Sequence, residues 1–154
     1  MVRQASLGDV RDVHELLQEL ATYEGNLTNF TASEDELARS IFGHEPKMSS
    51  WVVEDSERII AMAICTQTII AVSCLPVLRL LALVVRDGHR GRGIGSSLLT
   101  AIYRHTLDEG CASIEFMVRE SNEGAKAFYS RWGGVRREGW ETWRITAAAF
   151  GLVL

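Results

Sequence analysis

Proline is nearly missing from this 154-residue chain, with two in all, and cysteine is sparse and scattered. The three thiols, Cys65, Cys74 and Cys111, form no C-x-x-C pair and have no histidine at zinc-ligand spacing, which excludes a disulfide scaffold or a zinc finger. They are expected as reduced core thiols of a cytoplasmic protein. Net basic charge is missing too. A formal charge of −4 offers no general attraction to nucleic acid or anionic lipid and mildly favours a cationic small molecule. The N-terminal MVRQASLGDVRDV lacks the apolar core of a secretion signal and carries no myristoylation pattern. Repeats, linkers and low-complexity tracts are absent, so a single domain over 1–154 is expected.

Charge is also absent from Ile59 to Leu78, a run of twenty residues long enough to cross a bilayer as a helix. The polar Thr66, Gln67, Thr68 and Ser73 interrupt it, Pro76 stands near its end, and β-branched residues are frequent. Two buried antiparallel strands with a turn near Ser73 to Pro76 are expected there, and no membrane span.

What is present reads as alternating elements. Val2 to Ala5 is a short strand. Ser6 with Asp9, and Ser33 with Glu36, are capping-box pairs that open two helices, closed near Gly25 and Gly43. Ser50 to Glu54, Arg58 to Ser73 and Val77 to Arg86 read as strands, the first two joined at Asp55 to Glu57. Gly93 to Glu109 is a helix, Cys111 to Val118 a strand, and Asn122 to Trp132 a helix stopped by Gly133 and Gly134. Val135 to Thr146 returns as a hairpin turning near Glu138 and Gly139. The order is β, α, α, β, β, β, α, β, α, β, β.

Residues 86 to 99, RDGHRGRGIGSSLL, stand between a strand and a helix start and hold three glycines within Gly91 to Gly95. A helix N-terminus presents unpaired N–H groups and partial positive charge, and glycine lets backbone approach an anion closely, so this loop can wrap a phosphate. Arg90 and Arg92 add charge. The other reading of the same spacing is a turn that only separates two elements. There is no G-K-[ST] for a nucleotide P-loop, and no G-x-G-x-x-G followed by an acidic residue for a dinucleotide fold.

Arg90-Gly91-Arg92-Gly93-Ile94-Gly95 resembles the [QR]-x-x-G-x-[GA] signature of the GNAT superfamily of N-acetyltransferases, and Asn122 to Tyr129 resembles that family's N-x-x-x-x-x-F-Y helix. Glu19 to Glu24, Phe42 to Pro46 and Glu138-Gly139-Trp140 extend the likeness to the diamine (spermidine/spermine) and thialysine acetyltransferase branch. The resemblance implies a mixed α+β fold: a twisted, mostly antiparallel sheet of about seven strands, splayed between the fourth and fifth, with four helices. It implies acetyl-CoA as cofactor, held by Leu83, Val84 and Val85, by Arg90, Gly91, Arg92, Gly93, Ile94, Gly95 and Ser96, and by Asn122, Ala125, Phe128 and Tyr129. A small-molecule primary amine is the implied acceptor, and a homodimer the implied assembly.

Acetyl transfer needs a neutral amine, a polarised thioester carbonyl and a proton for the departing thiolate. By the resemblance, a backbone N–H near Val85 binds the carbonyl oxygen and Tyr129 protonates the sulfur; by helical spacing alone Tyr129 is equally a helix-face aromatic. The branch carries adjacent carboxylates where this chain has Leu81 and Ala82, which leaves the general base unassigned and weakens the case for a polyamine. Glu115, flanked by Ile114 and Phe116, is either the base or a solvent-facing glutamate. Tyr23 and Glu24 either hold a substrate ammonium or end a solvated helix. Trp51, Trp132, Trp140 and Trp143 read as core, channel or interface. An acyl-CoA-binding module without catalysis, and an acetyltransferase acting on a peptide or protein amine, are the other readings these residues allow.

Overall fold

The computed structural model describes residues 1–146; the last eight positions of the expected 1–154 domain lie outside the described residues. The chain divides into two compact units, Met1–Met117 and Val118–Leu154.

The first unit is built on one sheet. Strands β1 (Val2–Gln4), β2 (Ser49–Asp55), β3 (Arg58–Ile70), β4 (Leu75–Val85) and β5 (Ile114–Phe116) lie in the order β1-β2-β3-β4-β5. All neighbours are antiparallel except β4 and β5, which run parallel. Helices α1 (Val10–Tyr23) and α2 (Glu34–Phe42) follow β1, and α3 (Ile94–Asp108) joins β4 to β5. This is the mixed α+β architecture expected.

The charge-free run explains itself in the packing. Every residue from Ile59 to Cys65 is buried, because this half of β3 is covered on both faces, whereas Gln67 to Ile69 in its second half are exposed. On one face Met62 and Ile64 of β3, Val52 of β2, and Ala82 and Val84 of β4 pack with Val13 and Leu16 of α1 and Leu37 and Ile41 of α2. On the other lie the buried α3 residues Leu98 and Ile102, with the Trp51 ring of β2 tilted against His105 of α3 at 4.8 Å between centres. Each such apolar side chain contributes about 2 kcal/mol of burial. Among the described residues no helix is long and apolar enough to cross a membrane.

Turn chemistry sets the strand ends. The β2–β3 hairpin turns on Ser56 and Glu57, with φ of 50° and 63°, the paired left-handed conformation that matches strand twist. The β3–β4 turn falls at 71–74, earlier than expected. It places Cys74 on the surface at φ 53°, while Cys111 is half-buried. Only Cys65 is a core thiol, and burial pushes it up to about 12. The expectation of three core thiols is thereby corrected.

Three strands expected from sequence are shorter or missing. The strand over Cys111 to Val118 contracts to Ile114–Phe116, since its pairing with β4 covers only Leu78 to Leu80. Val135 to Thr146 turns at Glu138 and Gly139 as expected, but its flanks are not strand, so the described sheet has five strands rather than about seven. Alternating apolar residues satisfy a strand pattern, but no ladder among the described residues takes up their N–H and C=O groups. The second unit holds α4 (Glu123–Ser130), capped by the Asn122 side chain accepting from Ala125 N–H at 3.0 Å.

Both capping boxes form. Asp9, almost fully buried, accepts from both guanidinium nitrogens of Arg3, at 2.7 and 2.9 Å, and from the N–H and hydroxyl of Ser6 at 2.7 and 2.8 Å. The Arg3 hydrogen bonds above all, then those of Ser6, hold this carboxyl well below the usual carboxylate range. Its stabilising effect is therefore complete above the ordinary carboxylate pKa and is lost as pH falls below about 4 toward the lowered value. Asp9→Asn is expected to cost about 2 kcal/mol near neutral pH. Urea melts of both proteins should show that gap shrinking below about pH 4; a constant gap would contradict the assignment.

Candidate active site

The site grows out of the register of β4. Pairing with β3 is regular except between Ile64 and Cys65, which oppose Ala82 and Leu80, so Leu81 is an extra residue, a β-bulge. A bulge changes which residues send N–H and C=O groups to the outer edge. Below it, Leu78 N–H donates outward to Ser113 C=O at 3.0 Å. Above it, Arg86 N–H donates inward to Ile60 C=O at 2.9 Å, and antiparallel alternation then turns the backbone groups of Leu83 and Val85 outward.

Outward, among the described residues, there is no strand to meet them. The β4–β5 ladder ends at the Leu80–Phe116 pair, so Leu81 to Val85 lie beyond its last rung. Val85 C=O is taken by Arg90 Nε at 3.0 Å. Among the described residues the N–H groups of Leu83 and Val85 have no strand partner on that side. The splay between the fourth and fifth strands is thus present.

The loop that follows is held open by backbone geometry. Gly91 and Gly93 sit at φ 77° and 78°, and a β-carbon on either would meet nothing within 4 Å. Conformation, not crowding, requires glycine here. Gly93 is the N-cap of α3 and supplies no capping side chain, so the amides of Ile94, Gly95 and Ser96 have no side-chain acceptor among the described residues. Arg92 is exposed and its side chain has no partner among the described residues. His89 has a buried Nδ1 without a hydrogen-bond partner. Uncapped amides beside a free guanidinium fit a diphosphate.

Arg90, expected at the cofactor, also meets protein groups. Besides Val85 C=O it pairs with Asp87 at 3.0 Å and lies 5.4 Å from the centre of the Tyr23 ring. That contact brings Tyr23, at the end of α1, against the loop. Between α1 and the loop an open depression of about 720 Å³ is lined by Glu15, Glu19 and Tyr23 on one side and Arg86, Asp87 and Arg90 on the other. Glu24, the C-cap of α1, is half-buried.

Glu115 lies opposite Arg79, one rung before the ladder ends, with an oxygen 3.7 Å from the guanidinium. It stands next to the vertex of the gap, the Leu80–Phe116 pair. Leu81, where the resembled branch has a carboxylate, is half exposed at the bulge, and Ala82 is buried in the core under α1 and α2. In the second unit Phe128 and Tyr129 are half-buried, their rings edge to face at 5.0 Å. Gly134 N–H donates to Tyr129 C=O at 3.0 Å, and a β-carbon at Gly134 would lie 2.9 Å from that oxygen, so only glycine closes this end.

Sequence reasoning missed Arg86. It ends an apolar strand yet is 7% exposed, and its guanidinium meets Asp12, Glu15 and Glu19 of α1. Three carboxylates spaced i, i+3, i+7 on one helix face are the signal that could have found it.

Comparison with known proteins gives the chain a family. A model of the acetyltransferase (GNAT) family matches residues 10–134. The chain is similar to thialysine N-epsilon-acetyltransferase of Bos taurus, 26% identical over 160 residues that cover 97% of this chain and 94% of that protein. A shorter stretch of 54 residues is 41% identical to an N-alpha-acetyltransferase of Arabidopsis thaliana, covering 35% of this chain and 28% of that protein. Among solved structures, an integron cassette protein from the mobile metagenome of V. cholerae shares the fold with a TM-score of 0.79 at 19% identity, over 98% of this chain and 94% of that one.

The role given to Gly93 can be checked by stability alone. Gly93→Ala is expected to cost about 1 kcal/mol, roughly 2–4 °C in Tm, from left-handed backbone strain with no clash. Gly93→Asn should cost less, because asparagine tolerates that conformation. Equal Tm values for all three proteins would contradict the strain argument.

Proposed function

The chain belongs to the GNAT family of acetyltransferases, and from that premise we propose that it transfers acetyl from acetyl-CoA to a primary amine of a small molecule by direct attack. The observation that carries this reading is the pair of outward amides at Leu83 and Val85 next to an uncapped helix N-terminus. The cofactor's residues fit: Gly91 to Ser96 would hold the diphosphate, and Leu83 to Val85 the arm that reaches the gap. When bound, acetyl-CoA supplies a thioester carbonyl and a thiol leaving group.

The chain's own groups then have definite work. An N–H of Leu83 or Val85 donates to the carbonyl oxygen as negative charge develops there. Tyr129 gives its phenolic proton to the departing sulfur, a role carried over from the family motif together with the Asn122, Ala125 and Phe128 contacts. The amine must be neutral to attack, although an alkylamine with a pKa near about 10 is almost wholly protonated at neutral pH. Glu115, one rung before the vertex, is the proposed acceptor of that proton, directly or through water. Tyr23 and Glu24 are proposed to steer the substrate ammonium, and the working assembly to be a cytoplasmic homodimer.

Leu81 and Ala82 supply no carboxylate, which favours an acceptor with one amino group in play over a polyamine. The relative matched along nearly its full length is named for thialysine, a lysine-like amine. A peptide α-amine is the second reading, favoured by the 54-residue likeness to an N-alpha-acetyltransferase.

Free-thiol release from acetyl-CoA, measured against diamines, lysine analogues, aminoglycosides and short peptides, separates these readings. Turnover is expected with lysine analogues above the others; turnover with peptides alone selects the second reading. Release with none, alongside tight cofactor binding, would leave a binding module. Tyr129→Phe should slow release about 100-fold while cofactor affinity stays within about twofold. Full activity in that variant would return Tyr129 to a packing role.

A further inference from the structure

We infer that Arg86 is the positioning residue that fixes the diphosphate loop, by tying the end of β4 to α1. The inference rests on the acetyl-CoA reading above. It comes from a cluster that this reading does not use.

Arg86 is the first residue after β4 and precedes the glycine-rich loop. Its N–H and Nε donate to Ile60 and Ile59 C=O at 2.9 and 3.0 Å, which fixes its backbone and the root of its side chain on β3. Beyond that root the guanidinium meets Glu15 at 3.2 Å, Asp12 at 3.3 Å, and Glu19. A planar fork with five donors can serve a strand carbonyl and several carboxylates at once; an ammonium cannot. The three carboxylates lie on one face of α1 and would repel one another without a cation between them.

The loop needs such an anchor. Gly88, Gly91 and Gly93 all have φ between 77° and 80°, and glycine gives up more conformational freedom than any other residue when held in one shape. Two arginines restrain the segment. Arg86 grips α1 at its start, and Arg90 returns to Val85 C=O while facing Tyr23 at the end of the same helix. Amides held in one arrangement before a ligand arrives bind it without the cost of ordering them.

The test titrates coenzyme A, and its diphosphate-free fragment pantetheine, into wild type, Arg86→Met and Arg86→Lys, with Tm measured for each. Arg86→Met is expected to weaken coenzyme A binding at least tenfold and to lower the ratio of coenzyme A to pantetheine affinity by the same factor. Arg86→Lys should recover part of the ratio, because it keeps the charge and loses the fork. If Arg86→Met does not fold, Arg86→Lys carries the test with a fall of about threefold in the ratio. An unchanged ratio, or equal losses for both probes alongside a lower Tm, would overturn the inference and leave Arg86 a purely structural ion pair. Wild type that binds no coenzyme A would remove the acetyl-CoA reading and this inference together.

Discussion

A backbone N–H inside a protein must find an acceptor, and β4 is built so that two of them find none within its own sheet. The strand is paired on one side along its length and on the other only from Leu78 to Leu80. An ordinary sheet would continue the ladder. Here β5 is three residues long, and the unspent hydrogen-bonding capacity of Leu83 and Val85 faces the place where it would have run. The same deficit recurs at the start of α3, where glycine supplies no cap.

These two deficits are adjacent because the chain joins them directly. Val85 ends β4 and Ile94 begins α3, so the intervening loop carries the donors of a strand edge into the donors of a helix end. Around them the molecule is conventional: β3 is buried on both faces from Ile59 to Cys65, and α1, α2 and α3 cover the sheet. The rigid core fixes where the amides point, and the positive-φ glycines let the loop follow. Arg86 and Arg90 belong to the core side of that arrangement, since both spend their hydrogen bonds on protein groups.

Much of this was legible in residue order. Ser33 and Glu36 announced α2 because a capping box is local, and Gly110, at φ 64°, ended α3 for the same reason. The uncharged run around Met62 read as strands because β-branched residues with interspersed Thr and Gln suit a covered sheet better than lipid. The phosphate loop was visible in its glycines. What stayed hidden depends on partners distant in sequence. The Leu81 bulge exists only in the register with Ile64 and Cys65, and the task of Arg86 only once α1 lies beside β4. Val135 to Ile145 illustrates the opposite error: its alternation is that of a strand, but the pattern cannot supply the neighbouring strand that would make it one.

The central claim is that these free amides, and not a side-chain pocket, grip the donor. A crystal structure of the chain with coenzyme A tests it most directly. The account predicts diphosphate oxygens within hydrogen-bonding distance of the amides at the start of α3, and the arm of the molecule bonded to the outer edge of β4 above Leu81. A diphosphate bound elsewhere, with those amides still facing solvent, would contradict it.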